Sequence, residues 1–142
     1  MIPRRALPEV LKKTAELSRT YGLRVANVFH AGDGNMHPLI LYDANIPGEL
    51  ARTEELGGKI LELCVAVGGT ITGEHGVGIE KINQMCVQFN PEELAQFRAV
   101  KHAFDPDELL NPGKGIPTPR RCSEYRMLGT HSHPHEETEK AS

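Results

Sequence analysis

Apolar positions at the start of the chain recur at helical spacing. Leu7, Val10, Leu11, Thr14, Leu17 and Tyr21 fall near one face, which predicts an amphipathic helix over 7–21. Pro8 suits its first turn, and Gly22 suits the position just past its end. Segment 23–30 is then rich in β-formers, and segment 37–42 again, with Pro38 near its start, where a strand tolerates it. Between them lies the Gly/Asp/Asn loop Ala31-Gly32-Asp33-Gly34-Asn35-Met36, so the pattern predicts a hairpin. The helical period returns over 49–67, with Leu56, Ile60, Leu63, Cys64 and Val67 on one stripe, and Gly68-Gly69 ends it. The glycine-rich run 70–78 follows, then a predicted helix over about 79–88. Asn90-Pro91-Glu92-Glu93 is a strong helix start: Asn as N-cap, Pro at the first position, an acid at the third. That helix carries Leu94, Phe97, Lys101 and Phe104 on one face and stops before Pro106. Segment 107–110 reads as a short helical turn, and 111–115 as a tight turn.

The order predicts an α+β fold: a small antiparallel sheet with packed helices over 1–70, then a glycine loop and a small helical arm over 71–117. From 118 to 142 the sequence is polar, and its few apolar residues show no period. This stretch is expected to be a disordered tail. Two strands seldom make a stable sheet alone. Partner strands are therefore expected on another chain or domain. The apolar edge left open predicts dimerisation or limited solubility.

Composition narrows the function. The chain has 142 residues, enough for one domain and a tail, with 39% hydrophobic and only 5% aromatic residues, so its core is mostly aliphatic. A net charge of −3 argues against nucleic acid or an anionic membrane as the main partner. There is no apolar run long enough to span a membrane, and the first twenty residues do not read as a secretory signal. Three widely spaced cysteines, Cys64, Cys86 and Cys122, without a CxxC, argue against a disulfide framework and for a reducing, cytoplasmic setting. Neither GxGxxG after a strand nor GxxxxGK[ST] occurs, so the chain shows no dinucleotide or nucleotide site of its own.

Two groups of residues could carry chemistry. His30 and His37 flank the hairpin loop symmetrically, which predicts that they face each other directly, with Cβ atoms about 4.5–5.5 Å apart. Imidazoles so placed can share a metal ion, or can simply be surface residues at strand ends. Glu74-His75 sits among Gly73, Gly76 and Gly78. Glu74 would complete two histidines and a carboxylate, the donor set of metal sites that keep open positions. The bland reading is a glycine turn facing water. Asp33 and Asn35 are expected to shape the loop rather than ligate. Cys64 belongs to the apolar stripe. His102, the tail histidines His131, His133 and His135, and Lys114 have no partners in the sequence to organise them.

The segments His30-Ala31-Gly32-Asp33-Gly34-Asn35-Met36-His37-Pro38, Gly73-Glu74-His75-Gly76-Val77-Gly78 and Asn111-Pro112-Gly113-Lys114, in that order, resemble the C-terminal part of the FAD-linked 2-hydroxy-acid oxidases and dehydrogenases of the glycolate and D-lactate type. The resemblance runs through about 3–117. It implies a partly ferredoxin-like cap that covers the flavin and supplies the substrate site. The FAD itself is held mainly by a separate domain. It implies a divalent metal, zinc in the typical case, on His30, His37 and Glu74. It also implies His75 as the catalytic base and as a substrate contact, Arg4 (with Arg5 as the alternative) for the substrate carboxylate, and Asn111 in the segment that returns to the flavin. The implied partners are a small 2-hydroxy acid, an FAD-binding domain or flavoprotein subunit and an iron–sulfur subunit. The implied location is the cytoplasm, in contact with the inner membrane through partner subunits.

The flavin domain has no counterpart here. The resemblance therefore implies the metal- and substrate-binding portion of an FAD-dependent dehydrogenase, inactive alone. Two other readings compete. The chain could be an interaction module that associates with a flavoprotein, or an independent metal hydrolase built on His30, His37 and Glu74. The hydrolase lacks a nucleophile beyond metal-bound water.

Overall fold

Helix α1, Leu7–Tyr21, follows a short 3-10 turn at Arg4–Ala6 and ends at Gly22. Gly22 takes the left-handed conformation (φ 64°), so its N–H bonds Arg19 O and that of Leu23 bonds Ser18 O. This is the closure that glycine past a helix end permits. The chain then runs antiparallel through β1, Arg24–His30, and β2, Asn35–Leu41, before helix α2, Glu49–Ala66. In the computed structural model, which describes residues 1–128, these elements form one unit, Met1–Gly73, and the described residues from Glu74 onward form a second.

The first unit is the expected α+β arrangement: a two-stranded antiparallel sheet with helices packed on it. Its core is Ile2, Val10, Leu23, Leu56, Ile60 and Cys64. Val25, Met36 and Ile40 of the hairpin pack against that core, so one sheet face is covered. The opposite face carries Ala26, Val28, His30, Asn35, His37, Leu39 and Leu41, by the alternation of the strands. Of these, Val28, Leu39 and Leu41 are about half exposed. The N-terminus ties the unit together from outside. Ile2 N–H bonds Gly34 O at the hairpin loop, and Thr70 N–H bonds Met1 O beyond α2.

The hairpin register differs from the symmetric expectation. His30 O accepts from both Asp33 N and Gly34 N, closing a loop of residues 31–34. The ladder therefore begins with His30 opposite Asn35, and places His37 opposite Val28. Turn hydrogen bonding set the register, with Gly34 at φ 79° completing the turn.

In the second unit the core is Ile82, Met85, Cys86, Val87, Leu94 and Cys122. The helix expected over 79–88 shortens to one turn, α3, Met85–Gln88. Helix α4, Pro91–Phe104, has the predicted capping box: Asn90 Oδ1 accepts from Glu93 N and Glu93 Oε2 accepts from Asn90 N, each at 2.8 Å. Segment 107–110 is not helical. The buried Asp105 carboxylate accepts from the N–H groups of Leu109 and Leu110 instead, and Glu108 has φ 52°.

Two expectations are corrected. Residues 118–128 are not a disordered tail: Pro119–Leu128 form helix α5. Tyr125 OH accepts from Gln84, Arg121 Nε donates to Asn83, and Arg126 donates to Cys86 O, so long-range contacts hold a helix that has almost no apolar stripe to betray it. The expected absence of disulfides also fails. Cys86 and Cys122 are joined, with Cα atoms 5.3 Å apart. Their 36-residue separation gives no sequence signal. The remainder of the expected tail, 129–142, lies outside the described residues. Among those described, no helix is long and apolar enough to cross a membrane.

Candidate metal centre

His30 ends β1 and His37 lies within β2, both on the sheet face opposite the core. The expectation that they face each other directly is corrected to a diagonal relation, since each pairs with a residue two positions short of the other. Because the offset is even, they keep the same face. Diagonal neighbours lie about 7–8 Å apart at Cα, within reach of rings. The two imidazoles meet edge to face with centroids 5.4 Å apart.

Glu74 is one peptide bond beyond Gly73. One ligand atom each from His30, His37 and Glu74 lies within 4.8 Å of the others. Tetrahedral zinc with bonds of about 2.0–2.1 Å needs donor atoms roughly 3.4 Å apart. Side-chain adjustments on the order of an ångström close that difference. Two neutral nitrogens and one carboxylate also suit a borderline-soft divalent ion. The donor set therefore fits a divalent metal ion.

His75 follows directly, its Nε2 3.7 Å from Glu74 Oε1, and both side chains are well exposed. Arg4 and Arg5 lie in the 3-10 turn, exposed, two and three residues past the Ile2–Gly34 bond that fixes the N-terminus at the hairpin loop. Either guanidinium therefore starts from a backbone anchored near the loop. Asn111 is exposed at φ 48° in a turn closed by Lys114 N–H onto Asn111 O.

The residues set aside behave as expected where they are described. Asp33 shapes the loop, accepting from Asn35 N at 3.2 Å. Cys64 is core, and burial pushes its thiol pKa up, away from reactivity. His102 is exposed on α4. His131, His133 and His135 lie outside the described residues. Sequence reasoning missed the second role of Asn35. Its side chain is buried, and its amide lies against the backbone of Gly73. A polar residue followed at a distance by a lone glycine carries no local signal.

Two imidazoles and a carboxylate converging at the exposed end of a hairpin are the donors that open, catalytic-type metal sites use, in contrast to the closed thiolate-rich sets of structural zinc. Comparison with known proteins then gives the family. Residues 1–115 match the family described as FAD linked oxidases, C-terminal domain, and the chain belongs to that family. It is 72% identical over 130 residues to glycolate oxidase subunit GlcD of Escherichia coli strain K12, covering 92% of this chain and 26% of that protein. It is 37% identical over 113 residues to the Bacillus subtilis glycolate oxidase subunit GlcD, covering 80% of this chain and 24% of that protein. It is also 37% identical over 117 residues to a D-lactate dehydrogenase of Archaeoglobus fulgidus, covering 81% of this chain and 25% of that protein. The chain thus spans about a quarter of the length of these curated relatives.

Proposed function

We propose that the chain is the metal- and substrate-binding portion of an FAD-dependent dehydrogenase that oxidises a small 2-hydroxy acid, of the glycolate or D-lactate kind, to the 2-oxo acid. The observation that carries the reading is the convergence of His30, His37 and Glu74 with His75 adjoining. Membership of the FAD-linked oxidase family supports it.

His30, His37 and Glu74 hold a divalent ion, zinc being the best match to the donors. Such an ion supplies Lewis acidity and lowers the pKa of a hydroxyl bound to it. The guanidinium of Arg4 pairs with the substrate carboxylate, since a planar fork of donors suits that group. His75, as a neutral imidazole, accepts the hydroxyl proton. As the carbonyl forms, the α-hydrogen leaves with its electron pair. A flavin, which the rest of the enzyme would hold, would supply the acceptor for that hydride. Asn111, in the turn at 111–114, would be this chain's residue toward the flavin. The partners on this reading are an FAD-binding domain or subunit and an iron–sulfur subunit. The place is the cytoplasm, with membrane contact through those partners.

The test is calorimetry of glycolate and D-lactate against the chain, with and without zinc, beside His37→Ala. Binding only to the zinc-loaded chain, lost in His37→Ala, is expected. Binding that ignores both metal and substitution would overturn the site. The chain alone, supplied with substrate and a dye acceptor, is expected to give no turnover.

The open sheet face with Val28, Leu39 and Leu41 favours a second reading, an interaction module for a flavoprotein subunit. A pull-down of that subunit by the His37→Ala chain, with no gain of activity from the unaltered chain, would favour it.

A further inference from the structure

We propose that Asn35 and Gly73 form a clamp that positions Glu74 against the two histidines. The inference rests on the metal reading above and adds to it a pair of positioning residues that do not themselves touch the ion.

Asn35 opens β2 opposite His30 and two residues before His37, so it shares their sheet face. Its side chain is buried, with the residue only 6% exposed, on a face where Val28 and Leu39 stand half open. Its backbone is held on both sides. Asn35 N donates to Asp33 Oδ1, and the preceding Gly34 O accepts from Ile2 N at 2.9 Å. Gly34 itself leaves no room to shift: a Cβ there would lie 3.2 Å from the Ile2 carbonyl carbon and nearer still to its oxygen. The amide of Asn35 therefore projects from a fixed base.

Gly73 passes directly over that amide. A Cβ on Gly73 would lie 2.9 Å from Asn35 Cγ, 3.3 Å from Nδ2, and closer again to Oδ1. The φ of Gly73 is not in the positive region that favours glycine, so conformation does not demand glycine here. Space does: only a residue without a side chain lets the backbone come this near. A buried amide must also be hydrogen-bonded, which fixes its orientation as well as its place. Glu74 is the next residue, its Cα about 3.8 Å along the chain from that of Gly73. Where Gly73 rests therefore limits where the Glu74 carboxylate can reach. Asn35 thus links the strand that carries His37 to the segment that carries Glu74.

The test is a cobalt(II) titration of the full chain followed by visible absorption, with His131, His133 and His135 replaced by serine to remove competing sites. The variants are Gly73→Ala, Asn35→Ala, the double variant, and His37→Ala. Thermal melting of each metal-free protein runs alongside. For Gly73→Ala and Asn35→Ala we expect cobalt affinity to fall about 10–100-fold, the usual effect of losing a residue that orients a ligand. The visible band should change as the carboxylate leaves. The double variant should bind no worse than the weaker single one, because both substitutions break one contact. If Gly73→Ala fails to fold, Asn35→Ala, which only removes atoms, carries the test. Wild-type affinity and spectrum in both single variants, with His37→Ala unable to bind, would overturn the clamp and leave the metal site standing. Equal binding, or none, in the unaltered chain and His37→Ala would overturn the metal site and the clamp with it.

Discussion

Asp105 shows how one carboxylate can replace a turn of helix. It follows α4, is buried, pairs with Lys101, and accepts from Leu109 and Leu110 N–H groups at 2.9 and 3.0 Å. Lys101 donates in turn to Leu110 O at 2.7 Å. The Lys101 hydrogen bond, aided by those two N–H groups, holds the Asp105 carboxyl below its usual value of 3.8, against the opposing effect of burial. A depressed folded-state value means that this contribution is present above about pH 4 and lost as the pH falls through the folded value. Asp105→Asn should therefore destabilise the second unit at neutral pH and flatten the acid limb of its stability curve. Melting curves between about pH 2.5 and 7 would check both. At the same scale, the donors His30, His37 and Glu74 were legible as residue types at telling spacings. The Asn35–Gly73 contact was not, because it depends on a backbone approach between segments far apart in sequence.

Among the elements, those driven by a strong local signal came out as read. α1 and α4 have their predicted bounds, 7–21 and a start at the Asn90 cap. Replacing Asn90 by Ala should remove the Oδ1 half of the capping box, while the backbone N–H of residue 90 still donates to Glu93, and cost about 1 kcal/mol of stability, measured as a shift of the denaturant midpoint. The hairpin was legible as a hairpin, but its register was not. The choice between six loop residues and four rests on which N–H groups reach His30 O. Helix α5 was invisible for a different reason. Its polar composition suggests disorder, and what holds it is a disulfide and three hydrogen bonds to α3 and the residues just before it. Segment 79–84, expected to begin a helix, is a run of turns that follows the left-handed Gly76 and Gly78, and the helix starts only at Met85.

For the molecule as a whole, the α+β class followed from element order. The sheet face away from the core stays open, with Val28, Leu39 and Leu41 half exposed. Apolar strand surface of this sort promotes self-association. Leu39→Lys should raise the concentration at which the chain self-associates without lowering its melting temperature, and sedimentation velocity over a concentration series would show it. The Cys86–Cys122 bond has a consequence of another kind. With the disulfide formed, residues 86–122 are a closed covalent ring containing α4, the Asp105 turn and the Asn111–Lys114 turn. A protease that cuts at Arg98, Lys101 or Lys114 opens the ring without dividing the molecule. The nicked protein gains one water in mass and travels as a single species, and it separates into two pieces only when a reductant is added.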